Sequence, residues 1–243
     1  MNMQLGEARA PDRLRLYAIG DIHGCDHLLL RMYDEIAADL ADRPTPDHRL
    51  IHLGDYVDRG PETAAVIERV SRLSQADETV VCLRGNHEEM LLDFLANRDT
   101  DAAVNFLGNG GAETLASYGI SQWRLFRDND LAERFAGRLP SDHRTFFENL
   151  RYSVRFGDFF FCHAGVRPGI ALDDQDTFDL TWIRKPFLTS DADFGAVIVH
   201  GHTPNRQPEV RRNRINVDTG AVLGGPLTCV VLDGKQYRFF QVR

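Results

Sequence analysis

Acidic, imidazole and amide side chains follow three short apolar runs in the first half of the chain. The run at residues 50–53 leads into GDYVDRG at residues 54–60, which contains two carboxylates and a guanidinium. Two similar runs lead into GDIHG at residues 20–24 and RGNHE at residues 84–88. Hard oxygen and imidazole groups without a thiolate suit Mn, Fe or Zn rather than Cu(I) or an iron–sulfur cluster. The pattern therefore predicts a metal site.

Two more histidine-containing segments occur in the second half of the chain. His163 follows the apolar residues 159–162, and HGH at residues 200–202 follows the apolar run at residues 196–199. Because side chains alternate between the two faces of a strand, His200 and His202 should point in opposite directions. We therefore predict that His202 belongs to the site and that His200 lies beside it or in the core.

The spacing of the first three segments fits strand-helix-strand units. Gly20 and Gly54 are 34 residues apart, and Gly54 and Gly85 are 31 residues apart. Both gaps are close to the roughly 30 residues of one such unit. Three consecutive parallel strands would bring the polar side chains to one edge of a sheet, where α/β proteins place their chemistry.

The rest of the chain predicts a helical segment and then a strand-rich half. Residues 89–150 show helical patterns interrupted by glycine, which indicate an insertion that roofs one side of the site. Residues 151–162 predict a β-hairpin, and residues 210–242 predict alternating short strands. Strand-helix units followed by strands favour an α/β fold with two packed sheets covered by helices.

Length and composition narrow the function classes. No linker-like stretch separates the motifs, so we predict one domain over residues 13–243 after a loose arm at residues 1–12. The 28 basic and 36 acidic residues give a net charge of −8, which argues against a nucleic-acid partner. No apolar run approaches the ~20 residues of a membrane span, so no membrane partner is expected. The start of the chain lacks the features of a secretory signal, so a cytoplasmic location with four free cysteine thiols is expected.

The five motif segments resemble the PPP-type metallophosphatase family, whose marks are GDxHG, GDxVDRG, GNHE, HAG and GH. They occur here in that order, and the resemblance spans about residues 14–233. Three further segments are similar to the bacterial and phage branch typified by phage lambda protein phosphatase: WIR at 182–184, GHTP at 201–204 and DTGAV at 218–222. The resemblance implies a metallophosphoesterase-type four-layered α/β/β/α sandwich with a helical insertion.

The resemblance also implies two divalent metal ions that share one carboxylate. The residues implied for one ion are Asp21, His23 and Asp55, and those for the other are Asp55, Asn86, His163 and His202. The expected ion is manganese, with iron or zinc as alternatives. Two such ions share a water and lower its pKa far enough to supply a bridging hydroxide near neutral pH, which would attack the phosphate directly.

Four more residues receive roles from the same resemblance. His87 would protonate the leaving oxygen, and Asp58 would orient and charge its imidazole. Arg59 and Arg184 would bind the substrate phosphate. Charge counting agrees, because the ions with their carboxylates and hydroxide carry about +1, and the two arginines raise this to about +3 opposite a phosphate dianion.

Three functions are compatible with these residues. The first is a metal-dependent phosphomonoesterase that acts on phosphoserine or phosphothreonine in proteins, or on a small phosphoester. The second is a symmetrical dinucleoside tetraphosphate hydrolase, a group in which the DRG aspartate is typically Ala and GNHE is GNHD. Asp58 and Glu88 favour the first. The third is a phosphate-binding protein without activity, although such proteins usually lose ligands and none is missing here.

Several segments keep two interpretations. Asn109, in a glycine-rich turn, either contacts the substrate or lies in a connecting loop. The acidic residues between 173 and 179 form either a solvated loop or a rim that selects substrates. The arginines at 206, 211, 212 and 214 form either a solvated face or a rim for phosphopeptides. Arg84 is expected to pair with a carboxylate near the site rather than with the substrate.

Overall fold

Ten strands form two five-stranded sheets in the computed structural model, which describes residues 5–97, 100–121 and 128–243. The strands are β1 (Leu14–Ile19), β2 (Asp47–His52), β3 (Val80–Cys82), β4 (Ser153–Phe156), β5 (Phe159–Cys162), β6 (Val197–His200), β7 (Glu209–Val210), β8 (Arg214–Asn216), β9 (Leu227–Asp233) and β10 (Gln236–Val242). The first sheet has the order β10-β9-β1-β2-β3, and the second has the order β4-β5-β6-β8-β7. Both sheets are mixed.

Parallel pairing places the motif segments where the sequence predicts them. In the first sheet β1 pairs with β2 and β2 pairs with β3 in parallel. In the second sheet β5 pairs with β6 and β6 pairs with β8 in parallel. The carboxyl ends of three strands in each sheet therefore point the same way.

Eight helices cover the two sheets in the described part of the chain. They are α1 (Asp26–Asp42), α2 (Thr63–Ala76), α3 (Asn86–Asn97), α4 (Thr100–Gly108), α5 (Gly111–Ser117), α6 (Asp128–Arg138), α7 (Ser141–Glu148) and α8 (Thr177–Trp182). Helices α3 to α7 form the helical insertion that the sequence predicts. Of the described helices, none combines the length and apolar character that a bilayer span requires.

Alternation along β1 shows how the layers are separated. Tyr17 and Ile19 are buried on the outer face of the first sheet among the helices α1 to α7, whereas Leu16 and Ala18 face the second sheet. A third apolar cluster, which includes Leu180 of α8, covers the outer face of the second sheet. The predicted four-layered α/β/β/α sandwich is confirmed.

The N-terminal segment differs from the loose arm predicted for residues 1–12, of which residues 1–4 lie outside the described part of the chain. Ala8 and Ala10 are fully buried in the core between the sheets. The backbone N–H of Leu5 donates to the carbonyl of Arg212, and that of Ala10 donates to the carbonyl of Gly234. Small apolar side chains and strand-like hydrogen bonds tie residues 5–12 to the fold, although their composition suggests a loop. The four cysteines are free thiols, as predicted.

Candidate metal centre

The ends of strands from both sheets meet at one place and bring most of the predicted site residues together. Asp21 and Asp55 follow β1 and β2, while His163 and His202 follow β5 and β6. All four side chains are at least 95% buried. The backbone N–H of His202 donates to both oxygens of Asp21, at 3.2 and 3.1 Å, so the two sheets contact each other directly here.

Two groups of possible ligand atoms overlap at one carboxylate. His23, Asp55 and His87 place one ligand atom each within 4.8 Å of one another, and so do Asp55, His163 and His202. The Oδ2 of Asp55 lies 3.5 Å from the Nε2 of His23 and 3.4 Å from the Nε2 of His163. A carboxylate with imidazoles on two sides has the geometry expected of a bridging ligand.

Asn86 connects the second group. Its Oδ1 lies 3.1 Å from the Nε2 of His163 and 2.8 Å from the Nδ1 of His202. Asn86 begins α3 directly after β3, whereas both histidines belong to the second sheet. The amide oxygen therefore lies between imidazoles that reach it across the interface of the two sheets.

Backbone carbonyls orient the imidazoles as they do at many metal sites. The Nδ1 of His23 lies 2.7 Å from the carbonyl of Val57, and that of His163 lies 2.9 Å from the carbonyl of Leu53. A ring that donates from Nδ1 presents its Nε2 lone pair to the centre, which is the usual arrangement around histidine ligands. Among the described residues, the buried Nε2 of His202 has no hydrogen-bond partner.

The centre also contains more buried carboxylates than the cationic side chains around it neutralise. Burial raises the pKa of Asp21, and the neighbouring charge of Asp218 raises it further. Burial likewise raises the pKa of Asp218. Burial opposes ionisation of Asp55 as well, but the imidazoles of His163 and His87 outweigh it and hold its pKa well below the usual range. Buried carboxylates are stable when a cation neutralises them, so these residues fit hard divalent ions.

Glu88 fixes the loop that carries Asp55. Its carboxylate accepts backbone N–H groups from Asp55 at 2.9 Å, from Tyr56 at 2.8 Å and from Gly85 at 2.9 Å. Burial and then the charge of Asp55 raise the pKa of Glu88 to about 7. The motif contains this glutamate, but a backbone-binding role cannot be deduced from its position in the sequence.

His87 and Asp58 form a close pair. The Nδ1 of His87 lies 2.6 Å from the Oδ2 of Asp58, and both side chains are buried. Burial opposes a charged imidazole, but the carboxylates of Asp55 and Asp58 outweigh it and raise the pKa of His87. The hydroxyl of Thr114 donates to the Oδ1 of Asp58 at 2.7 Å and accepts its backbone N–H at 2.9 Å.

Arg59 points into the centre beside this pair. Its Nη1 lies 2.8 Å from the Nε2 of His23, and its Nη2 lies 2.9 Å from the Nε2 of His87. The backbone N–H of Arg59 donates to the carbonyl of Gly110 at 3.0 Å. The glycine-rich turn thus holds Arg59, while the amide of Asn109 donates to the carbonyl of Asn105 at 2.8 Å. This contact supports the connecting-loop interpretation of Asn109.

Arg184 lies at the margin of the centre and not within it. It is exposed two residues after Trp182, whose ring centroid is 6.2 Å from that of His202. Burial is the main cause that lowers the pKa of His202 to about 2, and the charges of His163 and Arg184 lower it further.

Left-handed backbone conformations are concentrated at the centre. Among the described residues, six residues other than glycine have positive φ, and five of them belong to the predicted site. These five are His23 (45°), Asp55 (53°), Asp58 (71°), Arg59 (68°) and His202 (64°). Such conformations cost about 1 to 3 kcal/mol each and persist where the surrounding contacts require them, typically at functional sites.

Other residues named from the sequence lie away from the centre. His200 is buried against the ring of Phe187, with the centroids 5.0 Å apart, which agrees with its predicted place in the core. Arg84 pairs with Glu89 at 3.1 Å. Both interpretations of the arginines at 206–214, the solvated face and the rim for phosphopeptides, are wrong for Arg214, which is 99% buried and donates to the carbonyl of Ser190 at 3.0 Å. Residues 187–190 cover the Arg214 side chain, since the guanidinium lies 5.5 Å from the centroid of the Phe187 ring and also donates to the carbonyl of Leu188.

Two further residues were missed from the sequence. Thr114 is 56 residues from its partner Asp58, and nothing in the sequence of α5 indicates this contact. Asp218 follows β8 closely, as Asp55 follows β2, so its position after a strand was a usable signal.

Comparisons with known proteins agree with this geometry. A sequence profile of the family described as Calcineurin-like phosphoesterase matches residues 14–226. The bis(5'-nucleosyl)-tetraphosphatase PrpE [asymmetrical] of Anoxybacillus flavithermus is 29% identical over 232 residues, which cover 87% of this chain and 88% of that protein. The protein of the same name from Bacillus cereus strain AH187 is 30% identical over 230 residues, covering 86% and 87%. A protein serine/threonine phosphatase structure from Saccharomyces cerevisiae superposes with a TM-score of 0.61 at 17% identity, covering 96% of this chain and 81% of that chain.

Proposed function

Because the chain belongs to the calcineurin-like phosphoesterase family, we propose that it is a metal-dependent phosphomonoesterase that dephosphorylates phosphoserine and phosphothreonine in proteins. The observation that carries this proposal is the 2.6 Å contact between His87 and Asp58. A serine or threonine alkoxide is a poor leaving group and needs a proton donor, whereas a nucleotide phosphate departs as a stable anion. The pair is therefore most useful for a phosphomonoester. The WIR, GHTP and DTGAV segments, which resemble the bacterial and phage branch of protein phosphatases, also support it.

The proposed metal ligands are the residues that meet at the strand ends. Asp21, His23 and Asp55 would hold one divalent ion, and Asp55, Asn86, His163 and His202 would hold a second. When bound, the two ions would neutralise phosphoryl charge and lower the pKa of a water near the phosphate. Manganese is the proposed ion, with iron or zinc as alternatives, in a cytoplasmic enzyme.

The protein's own residues would bind the phosphate and deliver the proton. Arg59, which points into the centre, and Arg184, at its margin, would bind phosphate oxygens, since both are cations beside a site otherwise rich in carboxylates. Arg59 now donates to the Nε2 of His87 at 2.9 Å. That nitrogen must hold a proton to act as an acid, so Arg59 has to transfer its hydrogen bond to the phosphate. Phosphate binding would thus free His87 for proton donation while Asp58 stabilises its charge.

Asymmetrical hydrolysis of a dinucleoside tetraphosphate is the second candidate. The names of the two curated relatives favour it. The sequence alone suggested the symmetrical reaction as the main alternative to protein dephosphorylation, whereas these relatives are named for the asymmetrical reaction. The two reactions differ in their products, because asymmetrical cleavage of diadenosine tetraphosphate gives ATP and AMP, whereas symmetrical cleavage gives two ADP.

A side-by-side assay distinguishes the candidates. The metal-free protein is loaded with Mn, Fe or Zn and given a phosphoserine peptide, a phosphothreonine peptide or diadenosine tetraphosphate at equal concentrations. We expect the highest kcat/KM for the peptides. A higher value for the tetraphosphate, with ATP and AMP as products, would replace the first proposal with the second. Binding of inorganic phosphate without turnover of any substrate would indicate a binding protein.

A further inference from the structure

A row of three aromatic rings leads from the protein surface to the candidate metal centre. Phe178 is 64% exposed and lies nearly parallel to Trp182, with centroids 6.1 Å apart and an interplanar angle of 18°. The edge of Trp182 then meets His202, with centroids 6.2 Å apart and an angle of 76°. The outermost ring is therefore only two ring contacts away from a proposed metal ligand.

The helix that carries the outer two rings is firmly anchored. Phe178 and Trp182 are four residues apart on α8, while Asp179 and Leu180 between them are buried. Asp179 accepts two hydrogen bonds from Arg167, at 2.5 and 2.6 Å. The carbonyl of Leu180 accepts the backbone N–H of Ala164, the residue after His163, at 2.8 Å. The aromatic pair is thus held in place relative to the centre.

Helix stability alone is a weak explanation for this pair. Aromatic neighbours four residues apart stabilise a helix only slightly. A ring as exposed as Phe178 keeps most of its apolar surface in water, which a polar residue at that position would avoid. A flat exposed ring beside a phosphate site is the arrangement by which proteins stack a nucleobase.

Charge beside the rings suits the phosphate side of such a ligand. Arg184 follows Trp182 by two residues and is exposed, and the ring of Trp182 contacts that of His202 with the centroids 6.2 Å apart. A ligand whose planar base lies on Phe178 would extend its phosphate past this guanidinium toward the centre. Nucleotides combine a planar ring and a phosphate at this scale, whereas a phosphoserine peptide presents a ring only where its sequence contains one.

We propose that Phe178 and Trp182 form a stacking surface for the nucleobase of a nucleotide substrate or product whose phosphate occupies the metal centre. This surface, the Phe178–Trp182 platform, rests on the proposed phosphoester hydrolysis and adds a class of ligand to it. It would recognise AMP and dinucleoside polyphosphates through the base and would discriminate little among bases, because each base has a flat face.

The test compares two ligands that differ only in the base. AMP and ribose 5-phosphate share the sugar and the phosphate ester. Their inhibition constants are measured against hydrolysis of 4-nitrophenyl phosphate by the metal-loaded protein, where an alternative substrate also acts as a competitive inhibitor. Stacking on a partly exposed ring should make the inhibition constant of AMP roughly 5- to 10-fold lower than that of ribose 5-phosphate.

Phe178→Ser should bring this ratio close to one. The matched control is Tyr237→Ser, which removes another exposed ring, itself packed on Phe239 with centroids 5.8 Å apart on β10. Tyr237→Ser should leave the ratio as it is. A wild-type ratio near one, or a ratio that Phe178→Ser does not change, would overturn the proposal. If Phe178→Ser weakens binding of a phosphoserine peptide with an adjacent phenylalanine as much as it weakens binding of AMP, the platform binds aromatic side chains of peptides instead.

A second measurement keeps the test independent of turnover. The chain has two tryptophans, Trp123 and Trp182, so a Trp123→Phe background reports on Trp182 alone. AMP should quench its fluorescence at lower concentration than ribose 5-phosphate, and Phe178→Ser should remove the difference. If the wild-type protein hydrolyses no phosphoester, the proposed function fails while this titration still decides the platform. Equal quenching by both ligands would overturn the platform alone.

Discussion

The proposed substrate class depends most directly on the imidazole of His87. Asp58 binds its Nδ1, and Thr114 in turn binds Asp58. This chain of hydrogen bonds leaves the Nε2 as the ring atom that faces the centre, next to Arg59. An acid in this position assists a leaving oxygen in proportion to its basicity.

Replacing His87 by Asn should therefore have an effect that depends on the leaving group. We expect hydrolysis of a phosphoserine peptide to fall by something on the order of 10²- to 10⁴-fold, the usual contribution of a positioned general acid. Hydrolysis of 4-nitrophenyl phosphate should fall clearly less, because nitrophenolate departs without a proton. Steady-state kcat for both substrates, at unchanged metal content, provides the measurement.

Equal losses on both substrates would remove the donor role and assign His87 to charge stabilisation. Asp58→Asn should show the same pattern more mildly. Thr114→Val should be milder still, because it leaves the contact between Asp58 and His87 in place and removes only the two hydrogen bonds between the Thr114 hydroxyl and Asp58.

Among the residues of the site, the sequence identified mainly those that directly follow predicted strands. Asp21, Asp55 and His163 were identified because each follows an apolar run closely, and the structure brings them together. Thr114 was missed because its role depends on how α5 packs, which no local pattern records. Glu88 lay within a motif, but its function is to bind the backbone, and three N–H groups that converge on one carboxylate become visible only in three dimensions.

Among the elements, the turn between α4 and α5 positions Arg59. Gly110 has φ of 103°, and a Cβ atom there would lie 2.7 Å from the Cγ of Arg59 and 2.9 Å from its backbone nitrogen. Neither a side chain nor an ordinary backbone conformation fits this position. The insertion would therefore contribute to the proposed phosphate binding because Gly110, which lacks a side chain, leaves room for Arg59.

Gly110→Ala should displace Arg59 and weaken phosphate binding. A lost charged hydrogen bond is worth about 1.5 to 3 kcal/mol, so kcat/KM should fall by roughly 10- to 100-fold. Gly119→Ala is the matched control, because Gly119 has φ of 84° in the same insertion and its nearest contact is the guanidinium of Arg138 at 3.3 Å. It should lose comparable stability but keep its kcat/KM. Similar kinetics for both variants would show that the turn does not position Arg59.

The positions of several elements could be predicted from the sequence, but the neighbouring segments that cover each of them could not. The spacing of the motif segments predicted one helix in each of the two gaps that α1 and α2 occupy, and the hairpin predicted at residues 151–162 contains β4 and β5. Both interpretations of the arginine cluster placed Arg214 at the surface, but Phe187 covers its side chain, and the carbonyl of Ser190 accepts a hydrogen bond from its guanidinium. Periodicity reports which face of an element is apolar and not which neighbour lies beside it.

Across the whole molecule, buried histidines make stability sensitive to acid. His52 is fully buried at the end of β2, with its Nε2 2.9 Å from the hydroxyl of Tyr33. Burial lowers its pKa from 6.5 to about 3. Between pH 6.5 and about pH 3, His52 binds a proton in the unfolded chain but stays neutral in the folded protein. The free energy of unfolding therefore falls as the pH falls through this range.

His52→Gln should remove this part of the acid sensitivity, since Gln still accepts a hydrogen bond from Tyr33 and does not titrate. The free energy of unfolding of the wild type should fall more steeply than that of the variant, by up to about 1.4 kcal/mol per pH unit between about pH 6 and pH 4. Urea unfolding in the presence of a chelator measures both, since the chelator removes the pH dependence of metal binding. Parallel slopes for wild type and His52→Gln would contradict the prediction.

The order of the first sheet determines when the protein can mature during its synthesis. The neighbours of β1 in the sheet are β2 and β9, and Leu227, which begins β9, follows Leu14, which begins β1, by 213 residues. One edge of β1, and the buried residues around it, stay uncovered until β9 has been synthesised. Nascent chains that end before β9 should therefore lack activity and should depend on chaperones that shield open strand edges. A polypeptide truncated before residue 227 should accumulate as aggregate and not as a smaller enzyme.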